Sequence, residues 1–339
     1  MNMKKTLSIL SLVLVFALAL TACGGASSSS APAPASTPTS TAEPASAAEP
    51  ASTGSASVEG KEVTMILKNL TNPFFISVKE GAEKAAEELG IKLTVLAPLK
   101  ADNNEEQTQM VEQAIASQTD LLIMCPSDSE GIVPAIQKVA EAGIPIVDLN
   151  TMIGGDEVLW KTFVAIENYD AGYQTTKALC ELMGGEGEIM IIEGVTGAQT
   201  SIDRVKGATD AIAEYPDIKI VAQQSGDYNR AKAMDVVQNL LQANPNVKAI
   251  YCCNDEMALG AVEAVASAGK TGDILIAGCD ANADAQAAIK DGKMALSCDS
   301  QPVEQGYQAV ITAGKVLAGE DVEARVVTEM KVVSKEDLA

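Results

Sequence analysis

Across residues 61–339 the chain repeats one cadence: a short apolar run, a polar turn, then a longer amphipathic stretch. The first runs are Val63 to Leu67, Ile91 to Leu96, Leu121 to Cys125, Ile144 to Leu149 and Thr162 to Ile166. A second set follows at Glu188 to Ile192, Ile218 to Ala222, Ala249 to Cys253, Ile274 to Gly278 and Ala295 to Cys298. Their composition and turn-bounded length predict strands. Between them Pro73 to Leu89, Glu105 to Ser117, Ser129 to Ala142, Tyr169 to Met183, Asn229 to Leu241, Asp255 to Ala268 and Val303 to Leu317 carry helical spacing. Strands that are apolar throughout belong to sheets covered on both faces, and helix-length connections between them are right-handed βαβ crossovers. The predicted class is therefore α/β, with two doubly wound parallel-sheet lobes. Residues 61–166 would build the first lobe and 167–300 the second, the chain changing lobe near Glu167 and Asn168. The helix from Val303 and the final strands from Arg325 to Val333 come after the second set is complete. Residues 301–328 are therefore expected to return to the first lobe and 329–339 to the second, so that several crossings form a hinge beside a cleft.

The residues ahead of this cadence have a different character. Lys4 and Lys5 precede an uncharged run from Leu7 to Leu20, shorter than the ~20 residues a bilayer span needs, and Leu20-Thr21-Ala22-Cys23 follows. Residues 1–22 resemble a bacterial lipoprotein signal, which implies that Cys23 becomes the lipid-bearing first residue. From there to Gly60 the chain is nearly all Ser, Ala, Pro, Thr and Gly, too polar to bury a core. As a flexible leash, residues 23–60 would reach on the order of 30 to 40 Å. An extracytoplasmic body tethered to the outer face of the membrane is expected.

Charge and residue usage narrow the function. Lys and Arg total 24 against 46 Asp and Glu, a net −22, which excludes nucleic acid as a partner. There is no histidine, so no His-based triad or general base, and a zinc site would need Cys and carboxylates alone. No glycine-rich phosphate loop is evident, and no cofactor or metal is expected. Cys125, Cys180, Cys252, Cys253, Cys279 and Cys298 fall in apolar runs without the spacing of a disulfide framework, so buried free thiols are expected. Cys252 and Cys253 would point to opposite faces of one strand.

In a chain with 3% aromatic residues, Phe74 and Phe75 stand side by side where the run Val63 to Leu67 gives way to a polar turn and a helix start. That is the carboxyl edge of a sheet, where open α/β folds bind ligands. Each ring is either a plug of the core or a plate for a flat ligand face.

Three segments carry a wider resemblance: Lys68 to Phe75, Tyr228-Asn229-Arg230, and Tyr251-Cys252-Cys253-Asn254-Asp255-Glu256-Met257-Ala258-Leu259-Gly260. Pro126-Ser127-Asp128-Ser129, Glu193-Gly194, Asp203-Arg204 through Gly207-Ala208-Thr209, Asn244-Pro245-Asn246 and Gly278-Cys279-Asp280 add to it. From about Val63 to its end the chain resembles periplasmic-type sugar-binding proteins of the ribose and allose group. The resemblance implies two lobes of the type I periplasmic binding fold closing on one monosaccharide. It also implies delivery to the permease subunits of an ABC importer, sometimes reading by a chemoreceptor, and a monomer with no enzymatic turnover. The residue chemistry agrees. A pyranose offers C–H faces and a rim of hydroxyls, which suit aromatic plates and a belt of planar polar groups. The plates would be Phe75 with Phe74 from one lobe and Tyr228 from the other, and the belt Lys68, Asn72, Arg204, Asn254 and Asp280. Asp255 is expected to cap the helix running to Ala268 and to leave Asn254 for the ligand.

Departures from the group bear on which sugar is bound. Lys68 matches the allose-like members, where ribose binders tend to carry a small hydroxyl residue. Asn150 stands where an aspartate is usual, Thr151 where ribose binders have arginine, and Ser300 where a glutamine usually contributes. Asn150 and Ser300 are nonetheless candidate ligand contacts. Counting Lys68 and Arg204 against Asp280 alone leaves surplus positive charge, which raises a sugar acid or a polyol-like anion as the alternative ligand. Ligand-sensing repressors share the two-lobed body, but the export signal and the absence of a helix-turn-helix argue against that class.

Overall fold

The computed structural model describes residues 57–156 and 158–338. The signal-like residues 1–22, Cys23 and the leash as far as residue 56 lie outside the described residues.

The apolar runs form two six-stranded sheets. The first collects β1 (Glu62–Ile66), β2 (Lys92–Leu96), β3 (Leu121–Met124), β4 (Ile146–Leu149), β5 (Thr162–Ala165) and β11 (Arg325–Val327), in the order β11-β5-β4-β3-β1-β2. The second collects β6 (Glu186–Glu193), β7 (Asp217–Ser225), β8 (Val247–Cys252), β9 (Leu275–Cys279), β10 (Leu296–Asp299) and β12 (Lys331–Ser334), in the order β12-β10-β9-β8-β6-β7. Every pairing is parallel except that of β12 with β10. Both sheets therefore need helices on both faces.

In the first sheet, Val63, Met65 and Leu67 face one core with Val78 and Ala82 of α1 (Pro73–Leu89) and Ala309 and Ala313 of α9 (Pro302–Leu317). Ile66, Leu122 and Met124 face another with Val111 of α2 (Asn104–Ala116) and Ile136 of α3 (Val133–Glu141). Successive strand residues point to opposite faces, so an unbroken apolar run serves two cores at once. The second sheet is wrapped by α4 (Asn168–Leu182), α5 (Gln199–Ala213), α6 (Arg230–Ala243), α7 (Asp255–Ser267) and α8 (Ala283–Lys290) around one large cluster. Cys125, Cys180, Cys252, Cys253, Cys279 and Cys298 are buried free thiols.

Glycine lets three helix pairs touch backbone to backbone. A Cβ on Gly81 of α1 would lie 1.9 Å from the Val303 carbonyl oxygen at the start of α9, and one on Gly172 of α4 would lie 2.1 Å from that of Arg204 in α5. Gly260 of α7 meets the Arg230 carbonyl of α6 in the same way.

The chain changes sheets after β5, between β10 and α9, and between β11 and β12. One predicted helix start is displaced by more than a single residue: α3 begins at Val133 rather than Ser129. Residues 129–132 are held as a loop, with the Ser129 N–H bonded to the Gly197 carbonyl beyond the first sheet's helices. The helices α5 and α8 were not among the amphipathic stretches read from the pattern; α5 begins without a capping side chain, and α8 is a short element of eight residues.

Candidate functional site

All the residues of interest sit beyond the carboxyl ends of strands. Lys68, Asn69 and Asn72 follow β1, Asp102 follows β2 and Asn150 follows β4. In the second sheet Thr200 and Arg204 follow β6, Tyr228 follows β7, Asn254 follows β8 and Asp280 follows β9. These residues, with Phe74 and Phe75, line one cavity with about 350 Å³ of empty volume, to which both sheets contribute.

Phe74 and Phe75 combine a place in the core with a place at the cavity wall. Both are buried in the core under α1 and both border the cavity, their rings meeting edge to face with centroids 5.0 Å apart at 88°. Asn72 fixes them, its side chain capping α1 by accepting from the Phe74 N–H at 2.9 Å. Its amide nitrogen is left for other work. Asn69 behaves alike, its carbonyl oxygen accepting from the backbone of Thr71 and Asn72.

Opposite them lies the Tyr228 ring, packed against Gly194 so closely that a Cβ there would sit 2.1 Å from its Cζ. The Lys68 ammonium lies over that ring, 5.5 Å from its centroid, and so reaches across to the far lobe. Lys68 is 2% exposed, and its Nζ makes no hydrogen bond to another described residue. Burial lowers the Lys68 pKa from its ordinary value, against the fields of Cys125 and Asp102, which favour the charge.

Arg204 is held by its own lobe. Its Nε donates to the Asn168 side chain at 3.0 Å and its Nη1 to the Cys253 carbonyl at 2.7 Å. Asp280 faces it, with Oδ1 3.9 Å from Nη1. The Asp280 carboxylate accepts no hydrogen bond from a described residue, and burial holds its pKa well above the ordinary carboxylate value despite Arg204. Burial raises Asp102 as well, with Lys68 opposing.

Four of the lining residues hold backbone conformations that L residues rarely take: Asp102 (φ 56°), Asn150 (62°), Tyr228 (53°) and Asp280 (129°). Strain gathered around one cavity is typical of a place where side chains must be aimed.

The structure corrects several expectations. Ser300 does not line the cavity; it is fully buried in the crossing between β10 and α9, where its carbonyl accepts from Gln305 at 2.6 Å. Gln305 is also the partner of the Asn150 amide at 3.1 Å, so the glutamine that reaches the site's edge comes from α9. The capping roles of Asn254 and Asp255 are reversed. Asn254 caps α7 by accepting from Met257 at 3.0 Å and still borders the cavity with its amide. Asp255 instead accepts from Ser297 at 2.6 Å and from the Asn282 N–H at 2.8 Å. The surplus of basic over acidic residues disappears from the count too, because Asp102 joins Asp280 opposite Lys68 and Arg204 in the lining, two of each sign.

Asn69, Asp102 and Thr200 were not singled out in the sequence. The same strand-end rule that found the others covers them, since each lies just beyond β1, β2 or β6.

Among known proteins, a match to the family described as a periplasmic binding protein domain runs over residues 63–321. The ribose import binding protein of Escherichia coli is 33% identical over 285 residues, covering 84% of this chain and 94% of that protein. The D-allose-binding periplasmic protein of Escherichia coli is 35% identical over 251 residues, 72% of this chain and 81% of that protein. A solved structure of an ABC transporter periplasmic solute binding protein from Actinobacillus succinogenes with bound D-allose is similar with a TM-score of 0.78 and 37% identity, covering 82% of this chain and 99% of that one.

Proposed function

This chain belongs to the periplasmic binding protein domain family, and from that premise we propose that it captures a neutral monosaccharide between its two lobes for an ABC importer. The observation that carries the reading is the lining of the cavity. Aromatic rings come from both sheets, and around them lie Lys68 Nζ, the amides of Asn72 and Asn254 and the carboxylate of Asp280, whose hydrogen-bonding capacity the protein does not use up. Rings suit the C–H faces of a sugar and the unspent donors and acceptors suit its hydroxyls. A ligand touching both lobes binds the closed arrangement far better than the open one and so draws the lobes together. Nothing in this description requires turnover, so we read the protein as a receptor rather than an enzyme.

The equal count of acidic and basic lining residues favours a neutral sugar over a sugar acid. An allose-like hexose is the first candidate: Lys68 departs from the ribose pattern, and D-allose is the ligand of the 37% identical structure. A thermal-shift screen across D-allose, D-ribose, myo-inositol and D-glucuronate tests this. A ligand at a hundred times its Kd adds about 2.7 kcal/mol of apparent stability, which raises the midpoint of a body this size by roughly 5 to 10 °C. A shift with D-glucuronate alone would overturn the neutral-sugar reading.

We place the protein outside the cytoplasm, anchored by lipid on Cys23, with the Leu20-Thr21-Ala22-Cys23 pattern and the leash as support. Cys23→Ser should release it into the medium; a variant still sedimenting with membranes defeats the anchor. The ABC permease subunits are its expected partners, with a chemoreceptor as a further one.

A further inference from the structure

The loop between β3 and α3 reaches across to the other lobe. Ser129 is 2% exposed. Its N–H donates to the Gly197 carbonyl at 3.1 Å and its hydroxyl accepts from the Gln199 N–H at 3.0 Å. Those two residues open α5, and α5 has no cap of its own, because Ala198 stands at the capping position without a side-chain hydrogen bond. The first N–H groups of a helix have no intrahelical acceptor, and a serine hydroxyl from the preceding turn usually satisfies one of them. Here the hydroxyl comes from the opposite lobe.

Both sides are shaped for the contact. Gly197 holds φ +88°, and a Cβ there would lie 3.3 Å from the Asp128 carboxylate across the seam. On its own side the Ser129 carbonyl is tied down by the Gly154 N–H at 2.8 Å. Nearby, the Thr151 and Thr200 hydroxyls pair across the same seam, and Thr200 also meets the Asn150 carbonyl at 3.3 Å. Ser129 itself does not line the cavity.

We infer that Ser129 caps α5 in trans and is a positioning residue for ligand capture: a latch made only when the lobes are shut, which favours closure before any ligand contact is counted. In the open state its hydroxyl and the Gln199 N–H return to water. Apparent affinity is the affinity of the closed form scaled by how readily the protein reaches it. A latch beyond the ligand's reach must therefore change the binding of every ligand by the same factor. Loss of a capping hydroxyl is large enough to move such an equilibrium by about fivefold.

The affinity arm of the test rests on the proposed sugar binding; a second arm does not. Ser129→Ala and Ser129→Thr are compared with the parent by titration calorimetry against D-allose, D-ribose and myo-inositol, and by small-angle scattering without any sugar. We expect Ser129→Ala to weaken every sugar that binds by one common factor of about threefold, the value for a sugar-free parent closed about half the time, without changing their order, Ser129→Thr to restore affinity, and sugar-free Ser129→Ala to scatter as a more open body than the parent. Unchanged affinity, a loss confined to one sugar, or identical sugar-free scattering of parent and variant would overturn the latch. If no sugar binds the parent, the functional reading fails and the scattering arm alone decides the latch. A lowered sugar-free melting midpoint without a change in scattering would make Ser129 a prop of its own loop and refute the inference.

Discussion

Replacing Lys68 with methionine separates what its amine does for the empty protein from what it does for a ligand. The Nζ is enclosed, its hydrogen-bonding capacity is unspent, and its nearest aromatic partner is the Tyr228 face at 5.5 Å. An unpaired buried donor costs about 1 to 3 kcal/mol, more when charged, and a desolvated cation over a ring recovers about 2 kcal/mol. The balance leaves the amine destabilising by about 1 kcal/mol in the sugar-free protein. Methionine fills a similar volume without the desolvation, so the sugar-free midpoint should rise by about 2 to 4 °C. Binding should move the other way. One lost charge-assisted hydrogen bond to a hydroxyl costs about 2 kcal/mol, or roughly thirtyfold in Kd. Melting without sugar, paired with calorimetric titration of the best sugar from the screen, reads both numbers. A lower midpoint with unchanged affinity would mean that the amine serves the fold, through Asp148 and Cys125 behind it, and would refute the reasoning.

Two further outcomes follow from contacts already described. Gly194→Ala drives a Cβ into the Tyr228 ring and should displace the second lobe's plate, weakening sugar binding by about tenfold while both lobes stay folded; wild-type affinity would remove Tyr228 from the site. Burial raises the pKa of Asp255 to about 7 and holds Asp148 and Asp280 well above the ordinary 3.8. From about pH 4 to about pH 7 the folded chain therefore binds more protons than the unfolded one, so stability falls as pH rises through that window. The sugar-free midpoint should drop between pH 5 and pH 7.5, and Asp255→Asn should flatten part of the drop; a midpoint rising with pH would contradict the assignment. The exposed carboxylates of Asp210, Glu214 and Asp291, lowered by their partners, act below that window.

The strands were legible because burial on both faces writes an unbroken apolar run: Leu121 to Cys125 was read one residue too long and Ala249 to Cys253 shifted by two at its start. The site was legible wherever a polar residue stood immediately past such a run, as Lys68, Asn254 and Asp280 do. It failed where the decisive fact was geometric. Asp102 reaches the cavity through a turn with φ 56°, which no periodicity announces. Ser300 has the right position in the chain, yet the crossing turns it inward and hands contact with the site's edge to Gln305, a helical turn later. The reversed roles of Asn254 and Asp255 were equally hidden, because either residue type can cap a helix, and the choice depends on Ser297 and Asn282 arriving from β10 and the start of α8.

The path of the chain has a consequence for the order in which the protein can assemble. The face of α1 that carries Val78 and Ala82 is covered by α9, and the β5 edge of the first sheet is completed by β11, yet both covering elements lie beyond residue 301. The second sheet has five of its six strands in hand by Asp299 and waits only for β12. During synthesis the lobe begun first thus waits while five strands of the second are made, with its helix-covering contacts postponed until the final forty or so residues are available. Contacts so distant along the chain form slowly. A chain that must pass through a membrane before folding gains time from that delay, because premature burial of its first core is disfavoured until its last helix has arrived.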